Sequence, residues 1–254
     1  MKTTYLKSIV LIISVLLISS CGDKKANEVM SPVDYVDPYI GTVSHLLVPT
    51  YPTVHLPLSM LRVYPERRES VDDIVKGLPV IVTSHRGSSA FNISPYNGTS
   101  QNLQPVKDYS YDLEKIKPYQ YSVYLDEEQV EVDFAPSHQS AVYEIRFEKE
   151  AENTLVINTR NGSLCYDEEG VYGHQVINGG PTKVYLYLQT SQAHVSAGSI
   201  EGGTINTNQK QVEGNDKAIG LVFNEKNIQL RYGISFISAD QAKKNLQREI
   251  NTYK

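Results

Sequence analysis

Residues Pro118–Phe147 read PYQYSVYLDEEQVEVDFAPSHQSAVYEIRF, and their alternation decides the fold class. Tyr119, Tyr121, Val123 and Leu125 fall on one face of an extended chain, with Gln120, Ser122 and Tyr124 on the other. After Asp126-Glu127-Glu128, the residues Val130, Val132 and Phe134 alternate with Glu131 and Asp133. A period of two marks half-buried strands, and two such runs joined by a short polar break form a hairpin. Ala141, Tyr143, Ile145 and Phe147, set against Glu144, Arg146 and Glu148, add a third strand.

Outward from this hairpin the same character continues. Further strand candidates are Val80–Thr83, Thr154–Asn158, Val171–Ile177, Val184–Gln189, Ala218–Phe223 and Ile228–Phe236. Turn signals separate them: Asn161-Gly162, Asn178-Gly179-Gly180-Pro181, Glu201-Gly202-Gly203 and Gly214-Asn215-Asp216. Nine or more strands without a long helical pattern between them predict an all-β chain folded as a large antiparallel sandwich. Only the end differs. Ser238-Ala239-Asp240-Gln241 has the capping-box pattern, and Ala242, Leu246 and Ile250 then recur every four residues, so a short helix begins near Ala239.

The 254 residues carry a formal charge of −5, which gives no basic face for nucleic acid. After residue 18 no stretch approaches the ~18 apolar residues of a membrane span. The start is of another kind. Lys2 and Lys7 precede an apolar run from Ile9 to Ile18, and Ile18-Ser19-Ser20-Cys21 closes it. Positive, apolar, small and then Cys resembles the lipobox of bacterial lipoproteins, in which the Cys is acylated after cleavage. Residues 1–20 are therefore expected to be a signal peptide, Cys21 the lipid attachment, and 21–32 a polar tether in the cell envelope. Residues 33–237 are expected to form the sandwich, and 238–254 to begin a linker helix.

Val36–Arg68 is too rich in proline for a helix and too apolar for a linker. Pro38, Pro49, Pro52, Pro57 and Pro65 interrupt ladder pairing, while Ile40, Leu46, Leu58, Met60 and Leu61 call for burial. An ordered, irregular path across the end of a sheet is the expectation, and such segments often line sites.

Three segments carry a family resemblance. VDPYIGT (Val36–Thr42) with the later PLSM (Pro57–Met60), the hairpin Pro118–Phe147, and GISFISADQAKKNLQREI (Gly233–Ile250) resemble the N-terminal domain of glycoside hydrolase family 92. The resemblance implies a β-supersandwich similar to galactose mutarotase domains, followed in the family by a helical (α/α)₆ barrel. That barrel supplies the acid and base carboxylates of an inverting α-mannosidase and most calcium ligands. The chain would then be the N-terminal part, inactive alone and needing no cofactor of its own. Its implied partners are a mannose-type glycan and a separate helical catalytic domain. A free-standing, lipid-anchored glycan-binding or structural lipoprotein is the alternative. The sequence departs from the family in VSHLLVPTYP (Val43–Pro52), which has a single His45, and in lacking Trp.

Carbohydrate contacts are expected from His45 and from the Ser84–Ser89 loop, through His85, Arg86 and Ser88, since imidazole, guanidinium and hydroxyl groups bond sugar hydroxyls. The plainer reading of that loop is a polar turn leaving the strand Val80–Thr83. The six histidines share no short metal-binding spacing. Asp126-Glu127-Glu128, Asp167-Glu168-Glu169 and Asp72-Asp73 read as solvated turn charges rather than a general acid and base. Cys165 reads as a structural thiol, and Asn97-Gly98 and Asn161-Gly162 as Asn-Gly turns. Anchoring is testable on its own. Cys21→Ser is expected to shift the exported protein from the detergent to the aqueous phase in a partition assay. A variant that stays in detergent is not held through this thiol.

Overall fold

A computed structural model describes residues 30–43, 50–69, 72–83, 89–98, 101–149, 151–177 and 179–253. Two units are distinguished, one ending at Tyr35 and one beginning at Val36. In the first, Pro32–Tyr35 makes a turn of 3-10 helix, and Asp34 accepts a hydrogen bond from the Ser31 amide at 3.0 Å. The second holds all the strands.

In chain order these are β1 (Ile74–Lys76), β2 (Leu78–Val82), β3 (Ser89–Tyr96), β4 (Asp108–Lys117) and β5 (Gln120–Leu125). Then come β6 (Val130–Pro136), β7 (Ser140–Phe147), β8 (Asn153–Asp167), β9 (Gly170–Val176) and β10 (Lys183–Thr190). β11 (Ser196–Glu201), β12 (Thr204–Asn206), β13 (Gln211–Phe223), β14 (Asn227–Ser235) and helix α1 (Ala239–Glu249) complete the unit. The antiparallel ladder runs β1-β4-β5-β6-β7-β14-β10-β9-β8-β13-β11-β12. The hairpin that decides the fold class pairs Tyr121 with Phe134 and Val123 with Val132, and β7 continues it with Phe134 opposite Tyr143.

The ladder becomes a sandwich at β8. Its first half, Thr154–Ile157, pairs with β3, and its second half, Gly162–Asp167, with β9; β13 follows its other edge throughout. β2 hangs on β3 and lies over β7 and β14. Three fully buried tyrosines make the crossing contacts. Tyr143 donates to the Pro79 carbonyl at 2.6 Å, Tyr232 to the Val80 carbonyl at 2.7 Å, and Tyr109 to the Pro95 carbonyl at 2.8 Å. One apolar core fills the space between, including Leu78, Ile81, Phe91, Ile93, Phe134, Ile145, Leu186 and Ile234.

Helix α1 docks on this body as its pattern requires. The Ser238 side chain accepts from the Gln241 amide, and Ala242 and Leu246 are buried against Tyr187. Gly233 makes the approach possible, since a Cβ there would stand 2.3 Å from the Ala242 carbonyl oxygen.

Several expectations are corrected. Asn161-Gly162 is not a turn but lies inside β8, where a Cβ on Gly162 would stand 1.9 Å from the His174 carbonyl oxygen. Gly214-Asn215-Asp216 likewise stays within β13. Its left-handed residues, Gly214 (φ 121°) and Asp216 (φ 49°), sit opposite the point where β8 changes partner. Glu128 is buried, not a solvated turn charge: it pairs with Lys107 and accepts from the Asn97 amide at 2.5 Å. Ile40 and Leu58 are exposed, Leu58 completely and at φ 59°, although Val54 and Leu61 of the same stretch are buried. β3, β4 and β11 were not expected, since Ser, Asn, Pro, Asp and Gly mask their periodicity.

The crossing hydroxyls should be measurable. Tyr143→Phe and Tyr232→Phe each leave a buried carbonyl without its donor, at an expected cost of about 1–3 kcal/mol in urea unfolding. A loss below about 0.5 kcal/mol for both would mean the layers are held by apolar contact alone.

Candidate functional site

Sequence reading placed the sugar-facing side chains His45, His85, Arg86 and Ser88 on two loops. These residues, and the lipid-attachment Cys21, lie outside the described residues. The roots of both loops are described, and they meet.

The common anchor is Arg62–Arg68. At the first loop, the Thr50 amide donates to the Gly41 carbonyl at 2.9 Å, closing its neck, with Gly41 at φ 83°. Tyr51, just beyond, stacks on Tyr64 with centroids 4.8 Å apart and planes 9° from parallel, and its hydroxyl reaches the Arg68 carbonyl. At the second loop, the Val82 amide donates to the Arg62 carbonyl at 2.8 Å, and the Ser89 amide to Glu66 Oε2 at 3.0 Å. One irregular segment therefore holds the exit of the first loop and both ends of the second, the kind of path expected of this proline-rich run.

Beneath the anchor lies a charged network. Arg160 of β8 donates to both Glu66 oxygens at 2.7 and 2.8 Å, and to Asn92 Oδ1 at 3.4 Å. Gln175 Oε1 accepts from the amides of Phe91 and Arg160, at 3.1 and 3.0 Å, joining β3, β8 and β9. Phe91 is fully buried at φ 59°, so its amide leaves the β2 ladder for this glutamine. Asn158 Oδ1 accepts from the Asn92 amide at 2.6 Å. Among the described residues, Arg160 Nε and Asn158 Nδ2 are buried without a hydrogen-bond partner.

The next residue along the anchor, Arg67, points to β4. It pairs with Glu114, donates to the Tyr111 hydroxyl at 2.9 Å, and lies over the Tyr111 ring at 4.9 Å. Tyr39 and Tyr121 also donate to Glu114, at 3.2 and 3.4 Å. A one-residue shift between Asp112 and Lys115 produces this arrangement. Leu113, at φ 55°, is turned outward and Glu114 inward. Burial works against the Arg67 cation, but Glu114 more than offsets it, so its pKa is raised. Burial, with Tyr51 and Glu66 nearby, pushes the Tyr64 phenol up to about 12. Tyr64 is thus a neutral ring and donor at ordinary pH.

Other candidates are settled individually. His55 turns its ring to the Ser59 carbonyl, and His174 to the Ser163 hydroxyl. Among the described residues no group of three His, Cys, Asp or Glu side chains could hold a metal ion. Glu66, Arg67, Glu114, Asn92, Arg160 and Gln175 were missed in sequence. PERR (Pro65–Arg68), three charges inside an ordered apolar run, was the available signal.

Together these features define an antiparallel β-sandwich domain in which the roots of two loops meet one irregular anchor. The chain belongs to the glycosyl hydrolase family 92 N-terminal domain family, whose model matches residues 35–235. Its fold is similar to the family GH92 inverting mannosidase BT2199 of Bacteroides thetaiotaomicron, with a TM-score of 0.73 and 23% identity over 86% of this chain and 33% of that one. It is likewise similar to the GH92 α-mannosidase BT3965 of the same organism, with a TM-score of 0.72 and 16% identity over 85% and 35%. The chain thus spans about a third of the length of these two proteins. No curated protein matches it.

The Glu66–Arg160 pair is expected to hold the second loop's root. Glu66→Gln should cost about 1.5–3 kcal/mol in urea unfolding, the range for hydrogen bonds to charged groups. In a cycle with Arg160→Met, the double variant should lose less than the sum of the singles. Strict additivity would show that the two are not coupled.

Proposed function

We propose that this domain forms one wall of the sugar site of a family 92 α-mannosidase-like glycoside hydrolase and does not cleave the glycan by itself. The family match over residues 35–235 carries the reading. It is supported by the convergence of both loop roots on Arg62–Arg68.

The chemistry of the anchor fits a wall rather than a catalyst. An inverting glycosidase needs a protonated carboxylic acid and a carboxylate base ~6.5–9.5 Å apart with water between. The buried carboxylates described here are committed to cations: Glu66 to Arg160, Glu114 to Arg67 and Glu128 to Lys107. The pairs do stiffen the loop roots, and a stiff platform positions a sugar without ordering cost at binding. A helical catalytic domain would supply the acid and base.

Calorimetry of the purified chain with α-mannobiose, run beside hydrolysis of an aryl α-mannoside, tests both parts. Weak saturable binding without turnover is expected, and His85→Ala with Arg86→Ala should weaken it by about tenfold, the effect of a lost hydrogen bond or two. Turnover by the chain alone would overturn the division of labour. A flat titration would overturn the glycan role.

A further inference from the structure

We propose a second saccharide-binding cleft at the opposite end of the β8–β9 hairpin from Arg160. It is a cleft of about 890 Å³ between the Asp167–Gly170 turn, the chain leaving β10, and Tyr253 beyond α1. That volume lies within the range of small-molecule sites. Seven residues of strand separate Arg160 from Asp167, roughly 23 Å at the rise of an extended chain. The cleft is therefore no extension of a single sugar subsite at Arg62–Arg68, and the assignment stands on its own lining.

That lining selects a neutral polyhydroxylated ligand. Two tyrosines give it ring surface. Tyr166 spends its hydroxyl on the Ala197 carbonyl at 2.7 Å, leaving the ring, which meets His194 edge-on at 6.0 Å. Tyr253 lies under the Arg231 guanidinium at 4.6 Å. Arg231 is held in place by the Ile250 carbonyl at 2.8 Å and Gln189 Oε1 at 3.0 Å, and its buried Nε has no partner among the described residues. The charges nearly cancel, with Asp167, Glu168 and Glu169 facing Arg231 and Lys210, and Glu169 already paired with Lys243. Burial lowers the His194 pKa, so its imidazole is neutral near pH 7 and offers both a donor and an acceptor. A phosphate or sulfate would meet three carboxylates, and an apolar ligand would strand the polar groups. A sugar uses ring faces, donors and acceptors together.

Amide shift mapping by NMR tests this on the full chain, with α-mannotriose and cellotriose as neutral probes and sialyllactose as the anionic one. At least one neutral trisaccharide should shift Gly170, Gln192 and Tyr253 saturably. Tyr253→Ala and His194→Ala should each weaken that binding by about tenfold, as expected for one lost stacking or bonding contact, with the thermal melt unchanged. Arg86→Ala should leave it unaltered, which separates this cleft from the loop site. No saturable shift at these amides, stronger binding of sialyllactose, or indifference to both substitutions would each overturn the proposal.

Discussion

A tyrosine placed in a sandwich core brings a hydroxyl that must find an acceptor, and the whole arrangement of layers follows from where three of them find it. Tyr109, Tyr143 and Tyr232 project from β4, β7 and β14 and end on the carbonyls of Pro95, Pro79 and Val80. Those carbonyls belong to β3 and β2, which join the main ladder through β8. A one-residue slip of β2 would turn away the acceptors of Tyr143 and Tyr232, and a slip of β3 that of Tyr109, stranding those hydroxyls in an apolar core. Hydrophobic burial brings the layers together, and the hydroxyls choose the register. β2 can accept this role because Pro79 has no amide, while the Val80 amide goes to Ser89 Oγ and the Val82 amide to the Arg62 carbonyl.

Fixing β2 and β3 fixes the two strand ends, Val82 and Ser89, from which the loop between them springs. Ser89 opens β3, and its amide is held by Glu66; Val82 closes β2 and is held by the segment containing Glu66. The anchor is thereby tied to the core at several points, and the charged network below it cannot drift. Buried ion pairs add little net stability, because desolvation offsets most of their attraction. Their contribution here is geometric. Arg160 and Gln175 gather β3, β8 and β9 at the place where β8 changes partner.

What could be read in the sequence was whatever kept its period. Tyr121, Val123, Val132, Phe134, Tyr143 and Ile145 alternate without a break, and each is buried where the pattern puts it. The capping residues of α1 were equally plain, as were the family segments. β3 was hidden for a physical reason: SAFNISPY is buried on both faces, so Ser89, Asn92 and Ser94 are inside alongside Phe91 and Ile93, and no alternation survives. Asn161-Gly162 misled because glycine serves close approach as well as turning, and His174 fills the space where a side chain would be. The network residues were silent because each is unremarkable locally. Their meaning comes from partners at a distance, as with Glu66 and Arg160, ninety-four positions apart.

The bulge in β4 shows why function and legibility part company. Tyr109 and Tyr111 lie toward the interior, and an unbroken strand would put Leu113 there next, as hydrophobicity also demands. The one-residue shift instead exposes Leu113 and turns Glu114 inward. Both moves cost free energy: an apolar side chain enters water, and a carboxylate leaves it. The local pattern cannot explain the exchange, but Arg67 can. With Glu114 outside, a half-apolar pocket of Tyr39, Tyr111 and Tyr121 would surround an unpaired guanidinium on the very segment that carries both loops. A strand that breaks its own rule in order to neutralise the anchor places the demand at the anchor, where pairing Arg67 outweighs the local cost to the strand.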